Sequence, residues 1–245
     1  MMEMDGGDGN YQNGDKGSMY EKTLFELIQN VVKNNSEIDP DRIIIGGCSN
    51  GGYMTMEMVL KHPDYFLKAY PICEAFYDEF ITDDMLKAVK KGGTEFWFTY
   101  AKNDTTVDPT LTAMPTIKRM QKLGIPVHTS VWDDVHDTTG RFWLDEDGQL
   151  TSEKTGTPYQ YMGHWSWIYF DNNSNICDDC KKNEWKWMAE YTPKKEDPKK
   201  DTTQKKDDKK SAKTSDNSHA VFYAGIFFMT MIAFVGVVVI KKKFH

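Results

Sequence analysis

Cysteine is scarce in this chain, four among 245 residues, and that excludes a small scaffold stapled by several disulfides. Cys177-Asp178-Asp179-Cys180 has no second Cys-x-x-Cys to complete the four ligands of a structural zinc, so it reads as a local disulfide or two free thiols. Cys48 and Cys73 fall at the ends of expected strands and read as buried thiols. A basic excess is also missing: the net charge is −7, which argues against a nucleic-acid partner. No internal repeat is present, so a solenoid is excluded. Between Pro193 and His219 there is no aromatic residue and one aliphatic, Ala212; this segment of Lys, Asp, Thr and Ser cannot bury a core and reads as a charged, disordered linker.

The segment after the linker has the opposite character. Ala220 to Ile240 is an uncharged run of 21 residues, and at 1.5 Å per residue it matches the ~30 Å hydrocarbon core of a bilayer. The run is expected to be a transmembrane helix, with 241–245 as a basic cytoplasmic tail. The body of the chain, 1–192, would then face the cell exterior. Because Met1 is not followed by a secretory leader, a tail-anchored chain facing the cytosol is the alternative.

Within 1–192 the apolar pattern switches regularly between two periods. Helical spacing is expected from Tyr20 to Lys33, from Tyr53 to Lys61, from Thr82 to Lys90 and from Leu111 to Leu123. Strands are expected at Ile43–Ile45, Ala69–Cys73, Glu95–Tyr100 and Val127–Trp132. Alternation of this kind implies an α/β fold, a parallel sheet with helices on both faces. A hairpin or loop insertion is expected in 140–161, a last helix from Trp165, and a packing segment at Trp185–Met188.

Chemistry concentrates at Gly46-Gly47-Cys48-Ser49-Asn50-Gly51-Gly52, between the apolar Ile43–Ile45 strand and the helix after it. A serine between glycines at G-x-S-x-G spacing is pushed out of the sheet on a tight turn. The Asn50 N–H, at the helix start, is placed to bind an oxyanion. A serine nucleophile needs a base and an acid that orients it, here in the order serine, acid, histidine. Asp104, in the loop after Glu95–Tyr100, is the preferred acid; Asp108, before Pro109, reads rather as a helix N-cap and is the alternate. For the base, His136 directly follows the last strand, while His164 lies on a loop before the last helix, between Gly163 and Trp165. His128, inside a strand, and His62, before Pro63, read as structural.

The segment from Asp39 to Met54 resembles the elbow of α/β-hydrolases, in particular carboxylesterases near the feruloyl, acetyl-xylan and polyhydroxybutyrate-cleaving esterases, and is similar to the catalytic domain of the prolyl oligopeptidase family. The resemblance covers roughly Tyr20 to Tyr191. It implies an α/β-hydrolase fold and a Gly-His segment as the source of the base, which places His164 ahead of the alternate His136. It also marks a departure, since the family's early strands and the loop giving a second oxyanion donor have no counterpart before Met19. The chain therefore reads as amino-terminally shortened. Its apolar span and three lysines are similar to the anchoring tails of Gram-positive surface proteins, without their Leu-Pro-x-Thr-Gly motif.

The expectation is a surface-anchored serine carboxylesterase: Ser49 attacks, His164 is base and then acid, Asp104 orients it, and the Asn50 N–H binds the oxyanion. The substrate would be a small-molecule or polysaccharide-linked ester. No metal or cofactor is expected. A serine peptidase acting on peptides is the nearest rival, though family peptidases carry a large extra domain that is not visible here. The other rival is an inactive fragment or carbohydrate-binding module presenting Trp132, Trp143, Trp165 and Trp167.

Overall fold

The structure, a computed structural model, describes residues 17–191 and 234–241. Four strands alternate with helices as the apolar periods require: α1 (Glu21–Asn34), β1 (Ile38–Cys48), α2 (Asn50–Lys61), β2 (Lys68–Ile72), α3 (Asp83–Gly92), β3 (Glu95–Ala101), α4 (Ala113–Leu123) and β4 (Val127–Trp132). β1 to β4 are parallel neighbours in that order. The central strands are buried, with Ile43, Ile44, Ile45, Phe96, Trp97 and Phe98 inaccessible to water. Such unbroken apolar runs are what a sheet covered on both faces selects.

The alternation of side chains along a strand divides the core in two. Ile43 and Ile45 point to one face, where α1 to α4 contribute Ile28, Met56, Val59, Leu86 and Met120. Ile44 and Trp97 point to the other, where they meet Trp187 and Met188. That second cover comes from the last described helices, α5 (Trp167–Asp171) and α6 (Glu184–Ala189). α3 ends cleanly because Gly93 takes the left-handed conformation at φ 80, and its start is capped by Thr82, whose Oγ1 accepts from Met85 N at 3.2 Å.

The expected insertion is present as small antiparallel pieces. β5 (Val135–His136) pairs with β8 (Gln160–Tyr161), and β6 (Trp143–Leu144) pairs with β7 (Leu150–Thr151). Asp39-Pro40-Asp41 falls at a register shift within β1, on the side facing its last neighbour. Proline is tolerated there because it interrupts an outer ladder only.

The carboxy-terminal reading is corrected in part. Phe234–Lys241 is not helical but an antiparallel strand, β9, on the outer edge of β1. Val235, Val237, Val238, Val239 and Ile240 are β-branched, and such residues suit a pleated surface better than a helix. The strand also covers an edge that would otherwise offer unpaired backbone groups. Among the described residues no helix is long and apolar enough to cross a membrane. The expected linker (193–219), the first part of the expected span (220–233) and the last four residues lie outside the described residues.

Two ionisable groups tie the second face together. Lys68 is fully buried; its Nζ donates to the Trp187 carbonyl and, at 2.5 Å, to the Glu190 carbonyl, so it neutralises the C-terminal end of α6. Burial lowers its ammonium to about 8. Glu184 is also buried, its Oε2 accepting from Asn175 Nδ2 at 2.6 Å, and burial raises its carboxyl to about 8. Glu184 therefore folds as a neutral acid. A raised folded-state pKa favours folding at low pH, and the advantage is lost as pH rises from the unfolded value towards about 8. The slope per group is roughly 1.4 kcal/mol per pH unit. The melting temperature should fall between about pH 5 and about pH 8, and less steeply in Glu184→Gln, which keeps the neutral shape. Equal slopes in the two chains would mean that Glu184 folds ionised.

Candidate active site

β1 enters the site and α2 leaves it, and the residue between them departs from ordinary backbone preference. Ser49 has φ 57 and ψ −114, in a region that non-glycine residues rarely occupy. Two backbone bonds hold it there: Ser49 N donates to Ile72 O and Tyr53 N donates to Ser49 O, both at 2.9 Å. The first ties the turn to β2 and the second starts α2. Close approach requires glycine at Gly52, where an added Cβ would lie 2.7 Å from the Glu74 Cα and 2.9 Å from Ile72 O. Gly46 is equally constrained, since a Cβ there would enter the Tyr70 ring. Asn50 is the first residue of α2, so its amide sits at the end of the helix where the dipole favours negative charge.

β3 delivers the acid. The chain turns just after Ala101, and Asp104 Oδ1 accepts from Thr106 N and Val107 N, both at 2.9 Å. Those two bonds fix the carboxylate and leave Oδ2 to face His164 Nδ1 at 2.8 Å. His164 Nε2 then lies 2.9 Å from Ser49 Oγ. The Asp104 side chain is 1% exposed and that of His164 11%, so the pair is shielded while the imidazole edge reaches outward. Since an ionised carboxylate only accepts, Nδ1 carries the proton and Nε2 is left to accept from the serine hydroxyl. A hydroxyl aimed at a basic nitrogen in this way is set to lose its proton as it attacks.

The alternates stand elsewhere. Asp108 Oδ1 accepts from Thr110 N and Oγ1, which lowers its pKa, and it shapes an exposed turn. It is not the cap expected for it, because Thr112 occupies that position at the start of α4. His136 faces Asp134 Oδ1 at 2.7 Å through Nδ1, and its backbone N–H donates to the Tyr169 hydroxyl. His128 packs in β4 among Trp97 and Trp187. His62 stacks on Phe25 and bonds to Glu21.

Residues 10–78 match the prolyl oligopeptidase family profile. No curated protein matches the chain. Solved structures similar to it include a thermostable esterase, at 20% identity and TM-score 0.47, over 69% of this chain and 35% of the esterase. A Staphylococcus aureus fluorophosphonate-binding serine hydrolase is 18% identical at TM-score 0.39, over 49% of this chain and 58% of that one. The acylaminoacyl peptidase of Pyrococcus horikoshii is 16% identical at TM-score 0.39, over 47% and 23% respectively. The chain thus spans about a third of the length of the esterase.

Three neighbours of the site escape motif reading. Cys73 places its sulfur within 4.8 Å of the Asp104 carboxylate and the His164 imidazole, but burial pushes its thiol well above the usual range. It stays protonated and is no rival nucleophile. Glu74, completely buried with Oε1 unpartnered, has its carboxyl pushed up to about 8 and adds no charge beside the elbow at neutral pH. Gly163 is the third: a Cβ there would lie 2.4 Å from the Asn103 carbonyl. The histidine loop and the acid loop meet at this point, with the Asn103 backbone and its side-chain Oδ1 both filling the space a Cβ would need. Gly163→Ala should therefore push His164 off Asp104 and lower the rate of fluorophosphonate labelling at Ser49 by about 10²-fold or more, with a cooperative melt retained. Labelling at the unchanged rate would mean that the loops have slack.

Proposed function

We propose that this chain is a serine hydrolase that cleaves a carboxylic ester by acyl transfer. The observation that carries the reading is the unbroken run of hydrogen bonds from Asp104 through His164 to Ser49. In the first step Ser49 Oγ forms a bond to the ester carbonyl carbon while its proton passes to His164 Nε2. The carbonyl oxygen becomes an oxyanion, and the Asn50 N–H at the start of α2 stabilises it. Collapse breaks the bond to the alcohol, and His164 returns the proton to the leaving oxygen. Water, activated by the same imidazole, then releases the acid and restores Ser49. Asp104 keeps Nδ1 protonated and stabilises the imidazolium without taking its proton.

A peptidase reading is supported by one observation, the match of residues 10–78 to the prolyl oligopeptidase family profile. The same groups would act, with a harder leaving group, since an amine must be protonated before it can depart. The ring that Trp132 stacks on Tyr169 at 3.7 Å is engaged in packing, which weakens the carbohydrate-platform reading at that position.

Purified full-length chain should be labelled by a fluorophosphonate and should turn over p-nitrophenyl acetate, and Ser49→Ala should lose both. Turnover of aminoacyl p-nitroanilides at a comparable rate would move the assignment to the peptidase. A folded chain that is neither labelled nor active would overturn both. In a parallel series, Asp104→Asn should lower turnover by ~10⁴-fold while Asp108→Asn leaves it within about twofold. The reverse ranking would make Asp108 the orienting acid.

A further inference from the structure

The Cys-x-x-Cys segment lies against the outer edge of β4, far along the chain from the serine. Asp178 N donates to Thr129 O at 2.9 Å, and Asp178 Oδ2 accepts from Thr129 Oγ1 and from Val131 N at 2.8 and 3.1 Å. These bonds pair the edge strand with a turn instead of another strand. The turn folds back at Lys181, whose φ is 55, and Cys180 N reaches Cys177 Sγ at 3.0 Å. Cys177 is completely buried and Cys180 partly so.

Two further donors converge on this turn, one from β4 and one from within the turn itself. His128, from β4, brings Nδ1 to 3.5 Å from Cys177 Sγ. Asp179 Oδ1 lies 2.6 Å from the same sulfur and accepts from Cys180 N at 2.9 Å. One donor atom from each of His128, Cys177, Asp179 and Cys180 lies within 4.8 Å of every other. The structure holds the two sulfurs as a disulfide, with Cα atoms 5.4 Å apart.

We propose that in the reduced chain these four side chains bind one zinc-class divalent cation, and that the disulfide is the alternative, metal-free state of the same site. Tetrahedral zinc takes sulfur at about 2.3 Å and nitrogen or oxygen at about 2.1 Å, which sets neighbouring donors roughly 3.4–3.8 Å apart. The His128 to Cys177 separation of 3.5 Å already has that value. Opening the disulfide lets Cys180 part from Cys177 and lengthens the Asp179 contact towards the same spacing. Two sulfurs and an imidazole select zinc over calcium or magnesium, which prefer all-oxygen shells.

The chemistry balances with a small dithiol as reductant. Its two thiols exchange with the protein disulfide; the S–S bond breaks, Cys177 and Cys180 become thiols, and the reductant leaves as its own disulfide. On binding, each thiol gives one proton to solvent, so two protons are released per ion. The site would join β4, through His128, to the loop leading into α6. It holds the edge of the sheet together in a reducing compartment as the disulfide does in an oxidising one.

The test uses the full-length chain, reduced with a phosphine in the presence of a chelator, freed of both, and titrated with cobalt(II) and then zinc. The expected result is one equivalent of cobalt with a sulfur-to-metal charge-transfer band and the strong visible bands of tetrahedral coordination, displaced by zinc. The oxidised chain should take up none, Cys180→Ser should abolish the bands, and His128→Asn should weaken binding by at least ~10-fold. A reduced chain that melts cooperatively but takes up no stoichiometric metal overturns the proposal, as does undiminished binding in Cys180→Ser. If reduction itself abolishes the cooperative melt, its return on adding zinc supports the site and its failure to return counts against it.

Discussion

Ser49 occupies backbone angles that cost on the order of 1–3 kcal/mol for a residue with a side chain, and the sheet is what keeps it there. The turn cannot relax towards β1, because its amide is bonded to Ile72 O on the neighbouring strand. Nor can it relax towards α2, whose first turn begins with the Ser49 carbonyl and whose Gly52 lies against Glu74. A buried parallel pair thus supplies the rigidity, and a glycine-lined contact supplies the room. Without both, the hydroxyl would sink back into the strand and the helix start would no longer stand beside it.

The other two members of the arrangement depend on the same sheet by different routes. β3 ends two strands away from the elbow, and its Asp104 is fixed by amides of its own loop before any histidine arrives. His164 has no such local support. It stands on a short helical turn reached after the antiparallel pieces, and its position comes from the contact between Gly163 and Asn103 and from Trp167, whose ring meets the imidazole edge-on at 5.6 Å. The base is therefore located by tertiary packing, the acid by local hydrogen bonds and the serine by strained backbone.

That difference explains what could be read from residue order. The elbow was legible because its requirement is local: an apolar strand, small residues and a helix within a short stretch of chain. The four parallel strands were legible for a similar reason, since burial on both faces leaves unbroken runs such as Ile43–Ile45 and Phe96–Phe98. Asp104 and Asp108 were not separated by spacing alone, as both precede turns and each spends Oδ1 on its own loop; what differs is that Asp104 is buried with Oδ2 turned to the imidazole, whereas Asp108 stands on an exposed turn. The approach of His128 to Cys177 joins residues 49 apart, and no local pattern encodes it. For Phe234–Lys241 hydropathy is ambiguous in principle, because a β-branched apolar run satisfies a bilayer and an uncovered sheet edge equally well by count, and differs only in how its backbone groups are paired.

Lys68 has a consequence for the chain as it is made. Its partners at Trp187 and Glu190 lie 119 and 122 residues further on, so while the sheet is being assembled on the ribosome this ammonium has neither of the carbonyls it finally bonds. Tyr70, Ile72 and Trp97 are left uncovered for the same interval, since the aromatic residues that bury them also come last. At 5–20 residues per second that interval is on the order of ten seconds. An ammonium at the start of β2, beside that apolar face, holds water there until its partners are made. The cost of burying the ammonium is met only when α6 arrives to cap it. The residue that locks the second face shut is thus also the one that keeps its edge wet until the cover exists.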